Sequence, residues 1–238
     1  MKVSVIIPMY NENKIIADTA KTLSDFMEKS FCDYEIVFVD DGSRDGCAQT
    51  LKEMSLPNVK VLGYGENCGK GRAVRYGMLA CDGDVRIFTD ADLAYGTDVV
   101  LRAVDVFKEK KSDIIIGSRN LDKDGYDGYT FKRKMMSKAY IKLLCLVGGF
   151  KLSDSQCGFK VFSREAAETV FSKCSVDRFA FDFEVIIRAQ GHGLKISEMP
   201  VKIVNHRESS VRPLRDAIKM LGDIQRIKKM IKTEKYSN

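Results

Sequence analysis

Two aspartates one residue apart, Asp90-Ala91-Asp92, close a short apolar run in this sequence. Carboxylates at i and i+2 just past a buried strand can both turn toward one hard cation. Mg²⁺ or Mn²⁺ would suit, with further oxygen ligands from a substrate's phosphates. Such a cation neutralises charge developing on a leaving diphosphate. A solvated turn competes with this reading, because Asp is common in turns.

Three polar clusters precede that pair. In Pro8-Met9-Tyr10-Asn11-Glu12, Tyr10 could stack on a nucleotide base and Glu12 could accept from a ribose. A helix N-terminus would explain the Asn and Glu equally well. In Asp40-Asp41-Gly42-Ser43, Asp40 could bond a base edge or ribose hydroxyls, or the cluster is an Asp-Gly turn. Asn67-Cys68-Gly69-Lys70-Gly71-Arg72 opens a helix whose amides attract phosphate, and Lys70 adds positive charge. The spacing GxxxxGK[ST] is absent, so this is not a P-loop.

Further on, Gly117-Ser118-Arg119 with Lys132, Arg133 and Lys134 forms a basic group able to receive a phosphate, since Arg offers paired donors. A solvated basic face is the alternative for most of the last three. Asp182 and Glu184 lie at i and i+2 of a helix and point to different faces, so one of them is a catalytic candidate. Asp182, among aromatic neighbours, could have a raised pKa suited to base work, or it could cap the helix. His206 follows the last expected strand and could reach the metal, or it is a solvated loop histidine.

The elements that must position these groups alternate. Strands are expected at Val3 to Pro8, Tyr34 to Val39, Val59 to Leu62, Val85 to Thr89 and Asp113 to Gly117. Helices are expected between them. This order implies βαβ units and a mostly parallel sheet. Runs such as Val5-Ile6-Ile7 and Ile114-Ile115-Ile116 are apolar on both faces, as in strands covered by helices on both sides. Each polar cluster follows a strand, so all should meet at the carboxyl edge, where such sheets bind ligands. In the second half, Leu121 to Thr130 reads as a mobile loop and Phe131 to Val147 as a helix. Cys157 to Phe162 reads as a strand, Arg164 to Phe171 and Phe181 to Gln190 as helices, and Leu194 to Val204 as one or two strands.

The 238 residues, 45% hydrophobic, suffice for one large core. A net charge of +6 could suit nucleic acid, anionic lipid or phosphorylated ligands. The basic residues lack the interleaved aromatic platform that single strands need, which argues against nucleic acid. Seven cysteines with no CxxC pair suggest packing thiols rather than zinc. No signal peptide and no spanning helix are expected, which points to the cytoplasm or to the cytoplasmic face of a membrane.

Taken in order, the four clusters ending in Asp90-Ala91-Asp92 resemble glycosyltransferase family 2, over about Met1 to Val204. The resemblance implies the GT-A (Rossmann-like) α/β fold, a mostly parallel central sheet flanked by helices. It implies an inverting, metal-dependent hexosyltransferase with Asp90 and Asp92 on Mg²⁺ or Mn²⁺. Pro8, Tyr10, Glu12, Asp40, Lys70 and Asp90 would hold the nucleotide sugar. Asp154-Ser155-Gln156-Cys157-Gly158-Phe159-Lys160 is similar to a segment of polyprenyl-phosphate sugar transferases. Arg178-Phe179-Ala180-Phe181-Asp182-Phe183-Glu184 is similar to the dolichyl-phosphate β-glucosyltransferase branch. That branch implies a polyprenyl-phosphate acceptor and favours UDP-glucose over GDP-mannose. Ser118, Arg119 and Gln156 would then receive the acceptor phosphate, and Arg119 and Asp182 would be catalytic, Asp182 as base or as positioning group. A hydroxyl acceptor in a soluble relative, or a non-catalytic nucleotide-binding protein, are the alternatives.

The domain is expected to occupy 1–210. Residues 211–238 are expected to form a basic amphipathic helix and tail, part of or attached to it. Its apolar stripe runs through Leu214, Ala217, Ile218, Leu221, Ile224, Ile227 and Ile231. This 213–235 helix could lie on a membrane or pack on the core.

Overall fold

The computed structural model describes residues 1–178, 180–205 and 222–231. Its centre is one seven-stranded sheet: β1 (Val3–Met9), β2 (Tyr34–Asp40), β3 (Val59–Gly63), β4 (Val85–Phe88), β5 (Ile114–Ser118), β6 (Lys160–Ser163) and β7 (Ile196–Pro200). Their spatial order is β3-β2-β1-β4-β6-β5-β7. All neighbours are parallel except β6, which runs antiparallel to both β4 and β5. The first five strands match the elements the sequence predicts to within a residue or so at each end. The strand expected from Cys157 begins instead at Lys160.

The helices are α1 (Ile16–Ser30), α2 (Cys47–Met54), α3 (Lys70–Ala80), α4 (Asp98–Lys110), α5 (Phe131–Gly148), α6 (Arg164–Phe171) and α7 (Phe181–Gly191). A further helix, α8, covers 222–231. Local chemistry fixes several ends. Ser163 caps α6 by accepting from the Ala166 amide at 3.0 Å. Gly149 ends α5 with φ +71°, a conformation that favours glycine.

The sheet separates two cores because side chains alternate along each strand. Val3, Val5, Ile7 and Met9 of β1 pack with Leu23 of α1, Leu51 of α2 and Val100 of α4. Ile6, Val37 and Val39 face the other way, onto Val74 and Met78 of α3 and residues of α6 and α7. Each fully buried Val, Ile or Leu contributes about 1.5–3 kcal/mol. The antiparallel entry of β6 matters for the site. Chain that enters β6 must arrive at the same edge where the parallel strands leave, so Asp154 to Phe159 is brought beside the ends of β4 and β5.

The stretch from Leu121 to Thr130, expected as a mobile loop, is a succession of turns. Tyr126 within it is buried, and Arg119 lies over its ring at 5.1 Å. The C-terminal stripe falls partly outside the described residues, which exclude 206–221 and His206. In α8, Ile224 and Ile227 are buried in the second core. That part of the stripe packs on the protein rather than facing out. The Lys228 Nζ also donates to the Val147 carbonyl at 2.7 Å.

Candidate active site

The Asp90-Ala91-Asp92 turn leaves β4 and is tied down from two sides. The Thr19 hydroxyl of α1 donates to the Ala91 carbonyl at 2.7 Å. Asn205 Nδ2 donates to the Leu93 carbonyl at 2.9 Å. Leu93 itself has φ +47°, a conformation costly for a non-glycine residue and one held only by its surroundings. The two carboxylates are partly exposed at the strand edge. They are hard oxygen donors of the kind a divalent cation takes. Among the described residues no group of three or more metal-ligating side chains forms. A metal at this pair would therefore need further ligands beyond the described side chains.

Lys70, at the start of α3, donates to Asp90 Oδ1. Burial pushes the Lys70 pKa down, but the carboxylates of Asp90 and Asp182 outweigh this and hold it above its usual value. Gly158 lies against the other oxygen of Asp90. A Cβ added there would sit 2.1 Å from Asp90 Oδ2, so only glycine leaves room for the carboxylate.

Asp182, in the first turn of α7, is almost wholly buried. Its Oδ1 accepts from Lys160 Nζ at 2.6 Å. Lys160 is fully buried, also donates to the Cys157 carbonyl at 2.7 Å, and lies over the Phe88 ring at 5.3 Å. Burial raises the Asp182 pKa, and Lys160 and Lys70 work against that shift. Asp90, Lys70, Asp182 and Lys160 thus form one alternating chain of charges beneath the strand edge. Glu184, the other acidic candidate of α7, has a different task. It is fully buried, accepts from the amides of Ser175 and Val176, and pairs with Arg188 at 2.9 Å.

The nucleotide-side candidates lie at the same edge. Tyr10 is 44% exposed, open enough to meet a ligand, and Pro8 is the buried residue two positions before it. Glu12 is partly exposed after a left-handed Asn11. The Asn11 amide donates to Ser43 Oγ and its side-chain Oδ1 accepts from the Arg44 amide, both at 2.9 Å. These bonds lock the ends of β1 and β2 together. Asp40 accepts from the Ser43 amide at 2.9 Å. Its neighbour Asp41 is buried and gathers the glycine-rich segment. It accepts from the Gly69 amide at 2.8 Å, the Cys68 amide at 2.9 Å and Tyr64 at 2.8 Å. Sequence reasoning left Asp41 without a role; two adjacent acids after an apolar strand were its only signal.

Ser118 and Arg119, expected to receive an acceptor phosphate, are paired within the protein. Ser118 is fully buried and its hydroxyl bonds that of Ser153. Arg119 is held in a fork by Asp154, with Nε–Oδ2 2.6 Å and Nη2–Oδ1 2.9 Å. Both have polar atoms engaged inside the protein, and Arg119 supplies the partner that the buried Asp154 needs. Gln156 is partly exposed beside them. Of the downstream cations, Arg133 stacks on Tyr129 at 3.9 Å and Lys132 is exposed.

Residues 4–171 match the glycosyl transferase family 2 domain. The chain belongs to glycosyl transferase family 2. Relatives in the family include the dolichyl-phosphate beta-glucosyltransferase of Dictyostelium discoideum, 33% identical over 94% of this chain and 73% of that one. The human protein of the same name is 30% identical over 94% of this chain and 74% of its own length. Among solved structures, the fold is similar to glucosyl-3-phosphoglycerate synthase from Mycobacterium tuberculosis in complex with Mn²⁺, UDP and glucosyl-3-phosphoglycerate. That likeness has a TM-score of 0.66 at 18% identity, over 94% of this chain and 79% of the other. Mannosyl-3-phosphoglycerate synthase from Rubrobacter xylanophilus gives 0.60 at 17% identity, over 99% and 75%. The fold is GT-A and the protein is a glycosyltransferase.

Proposed function

We propose that this enzyme transfers a hexose, with inversion, from a nucleotide sugar to a polyprenyl phosphate at a membrane surface. UDP-glucose is favoured over GDP-mannose as donor. The observation that carries this reading is the buried Asp182–Lys160 pair standing beside Lys70 and Asp90, in a chain whose relatives are named dolichyl-phosphate beta-glucosyltransferases. Asp90 and Asp92 are the residues that would hold Mg²⁺ or Mn²⁺, whose chemistry here is to neutralise the diphosphate. Pro8, Tyr10, Glu12 and Asp40 bind the nucleoside part of the donor. Lys70, kept protonated, supplies a fixed positive charge where the diphosphate departs.

A phosphate acceptor is already anionic at neutral pH. Its oxygen attacks the anomeric carbon as the bond from that carbon to the diphosphate oxygen breaks, and the nucleoside diphosphate leaves. No strong base is required. Asp182, tied to Lys160, then orients groups around the acceptor, and Gln156 is placed to meet it. Arg119 and Ser118 hold the Asp154 segment from behind.

A second reading, a hydroxyl acceptor, draws on the raised Asp182 pKa, which suits a general base. The test is a donor screen with dolichyl or undecaprenyl phosphate, the products weighed by mass spectrometry, with and without chelator. A hexosyl polyprenyl phosphate that needs divalent metal is expected. Transfer to glycans or water but never to the lipid phosphate would overturn the proposal. Asp182→Asn, checked by circular dichroism to be folded, separates the readings: partial activity fits a phosphate acceptor, and complete loss fits a hydroxyl acceptor.

A further inference from the structure

The face of α5 that turns away from the protein is apolar where a solvent-facing helix is usually polar. Ile141 and Leu144 bury the inner face. On the opposite side Phe131 is 78% exposed, Met135 55% and Leu146 81%. Leu143 lies at their margin. The spacing of four, then eleven, residues keeps Phe131, Met135 and Leu146 on one helical stripe. Lys132, Lys138 and Lys142 are exposed on the same side of the helix. The whole of α5 carries Lys132, Arg133, Lys134, Lys138 and Lys142, and no Asp or Glu.

We infer that the outer face of α5 docks the protein on an anionic lipid surface, with Phe131, Met135 and Leu146 entering the interface and the lysines on the headgroups. The charge of the helix selects this occupant. An apolar stripe ringed by cations and free of carboxylates is complementary to acidic headgroups. Lysine stems can lie along the acyl boundary while their ammonium groups stay in water. A second copy of the chain would bring the same cations against these.

The helix expected from sequence to do this, 213–235, is the weaker candidate. Ile224 and Ile227 of its described part are spent in the core. Along one margin of α5 a groove of about 610 Å³ is lined by Lys138, Lys142, Ile141, Phe150, Asn120 and Ser153. Asn120 and Ser153 adjoin the Arg119–Asp154 pair, so the docked face continues toward the acceptor side of the site. The inference deepens the polyprenyl-phosphate reading but stands on α5 alone.

The sequence has no tryptophan, so Phe131→Trp and Leu146→Trp each create a single reporter. The full chain carrying either is mixed with phosphatidylcholine vesicles, with or without phosphatidylglycerol, and with no polyprenyl phosphate present. A blue-shifted emission and flotation only with the anionic vesicles are expected, both reversed by high salt. F131S/L146S should lower vesicle affinity by more than about tenfold, and K132Q/K142Q by roughly thirtyfold. Circular dichroism confirms that each variant is folded. The inference is overturned if the wild type ignores anionic vesicles, or if it binds while both reporters stay in water. It is equally overturned if F131S/L146S changes the oligomeric mass but leaves flotation intact, which would assign the face to a second copy. Because no acceptor lipid is present, failure here is distinct from failure of the proposed reaction.

Discussion

The Lys160 ammonium, fully buried, donates to the Asp182 carboxylate at 2.6 Å. The pair joins the first residue of β6 to the first turn of α7, and its energetics follow from burial. Breaking such a pair by removing one partner costs about 3–5 kcal/mol, because the remaining charge is left desolvated. Lys160→Met should therefore destabilise strongly near neutral pH. Asp182 already has a raised pKa in the folded protein, and losing Lys160 raises it further. For an acid shifted upward, the stability contributed is complete below the unfolded value of about 3.9 and is lost as pH rises through the folded value. The deficit of Lys160→Met should thus shrink in acid. Urea unfolding near pH 5 and near pH 8 measures this. An equal deficit at both would show that the loss is packing alone.

Gly158→Ala tests the closeness of Asp90. The added Cβ would meet Asp90 Oδ2 at 2.1 Å, so the carboxylate must move. Displacing a metal-side carboxylate through its neighbour should cost about 10–100-fold in apparent Mn²⁺ affinity or activity. The fold should lose only about 1–3 kcal/mol. A metal titration of turnover, set beside thermal unfolding, separates the two effects. An unchanged metal dependence would mean that Asp90 does not hold the ion.

Asp41→Ala removes the carboxylate that four donors share. The Cys68 and Gly69 amides, the Asn67 side-chain amide and the Tyr64 hydroxyl lose this carboxylate. An unsatisfied buried group costs about 1–3 kcal/mol; these bonds are only part-buried, so the low end, about 3 kcal/mol in total, is expected. For a chain of this size that is roughly 6–12 °C in Tm. Lys70 follows directly after this segment, so KM for the donor should rise as well. A donor KM that stays fixed while Tm falls would confine Asp41 to stability.

Glu35 gives a control at the opposite edge of the sheet. Burial raises its pKa, but bonds from Lys60, Ser4 and the Asp82 amide, with the charge of Lys2, outweigh burial and bring it to about 2. A carboxylate depressed in this way adds stability above its unfolded pKa, and that stability is lost as pH falls through the folded one. The window runs from about pH 4.5 down to about 2. Glu35→Gln should cost up to about 3 kcal/mol at neutral pH, flatten the acid limb of unfolding and leave kcat unchanged. A change in kcat would contradict the separation of this edge from the site.

The clusters after β1, β2 and β4, and the one that opens α3, were legible in sequence for a physical reason. Parallel strands covered on both faces are continuous apolar runs, so the first polar residue after each run marks the ligand edge. Asp90, Asp92, Lys70 and Asp40 follow from that rule. The insertion of β6 between β4 and β5 did not, because strand pairing depends on registers between distant segments. With it went the fork between Arg119 and Asp154, and the burial of Ser118. Lys160 did leave a trace. A lysine inside the apolar run Gly158 to Phe162 is almost never buried without a partner, and the partner was Asp182. The outward stripe of α5 was hidden by its own length. Read as a helix, it showed apolar residues on all sides, and only packing revealed which side the protein uses.

The antiparallel strand β6 also bears on how the protein is made. Until it arrives, β4 and β5 each present an open edge, and such edges invite pairing with another chain. From the end of β5 at Ser118 to the start of β6 at Lys160 the ribosome must add 42 residues. At about 5–20 residues per second, the nascent chain spends roughly 2–8 s with a gap in the middle of its sheet. In that interval Asp90 and Asp92 exist without Gly158, Lys160 or Asp182. A half-made chain therefore carries Asp90 and Asp92 without the Lys160–Asp182 pair that packs beneath them, and that pair forms only after the central gap is closed.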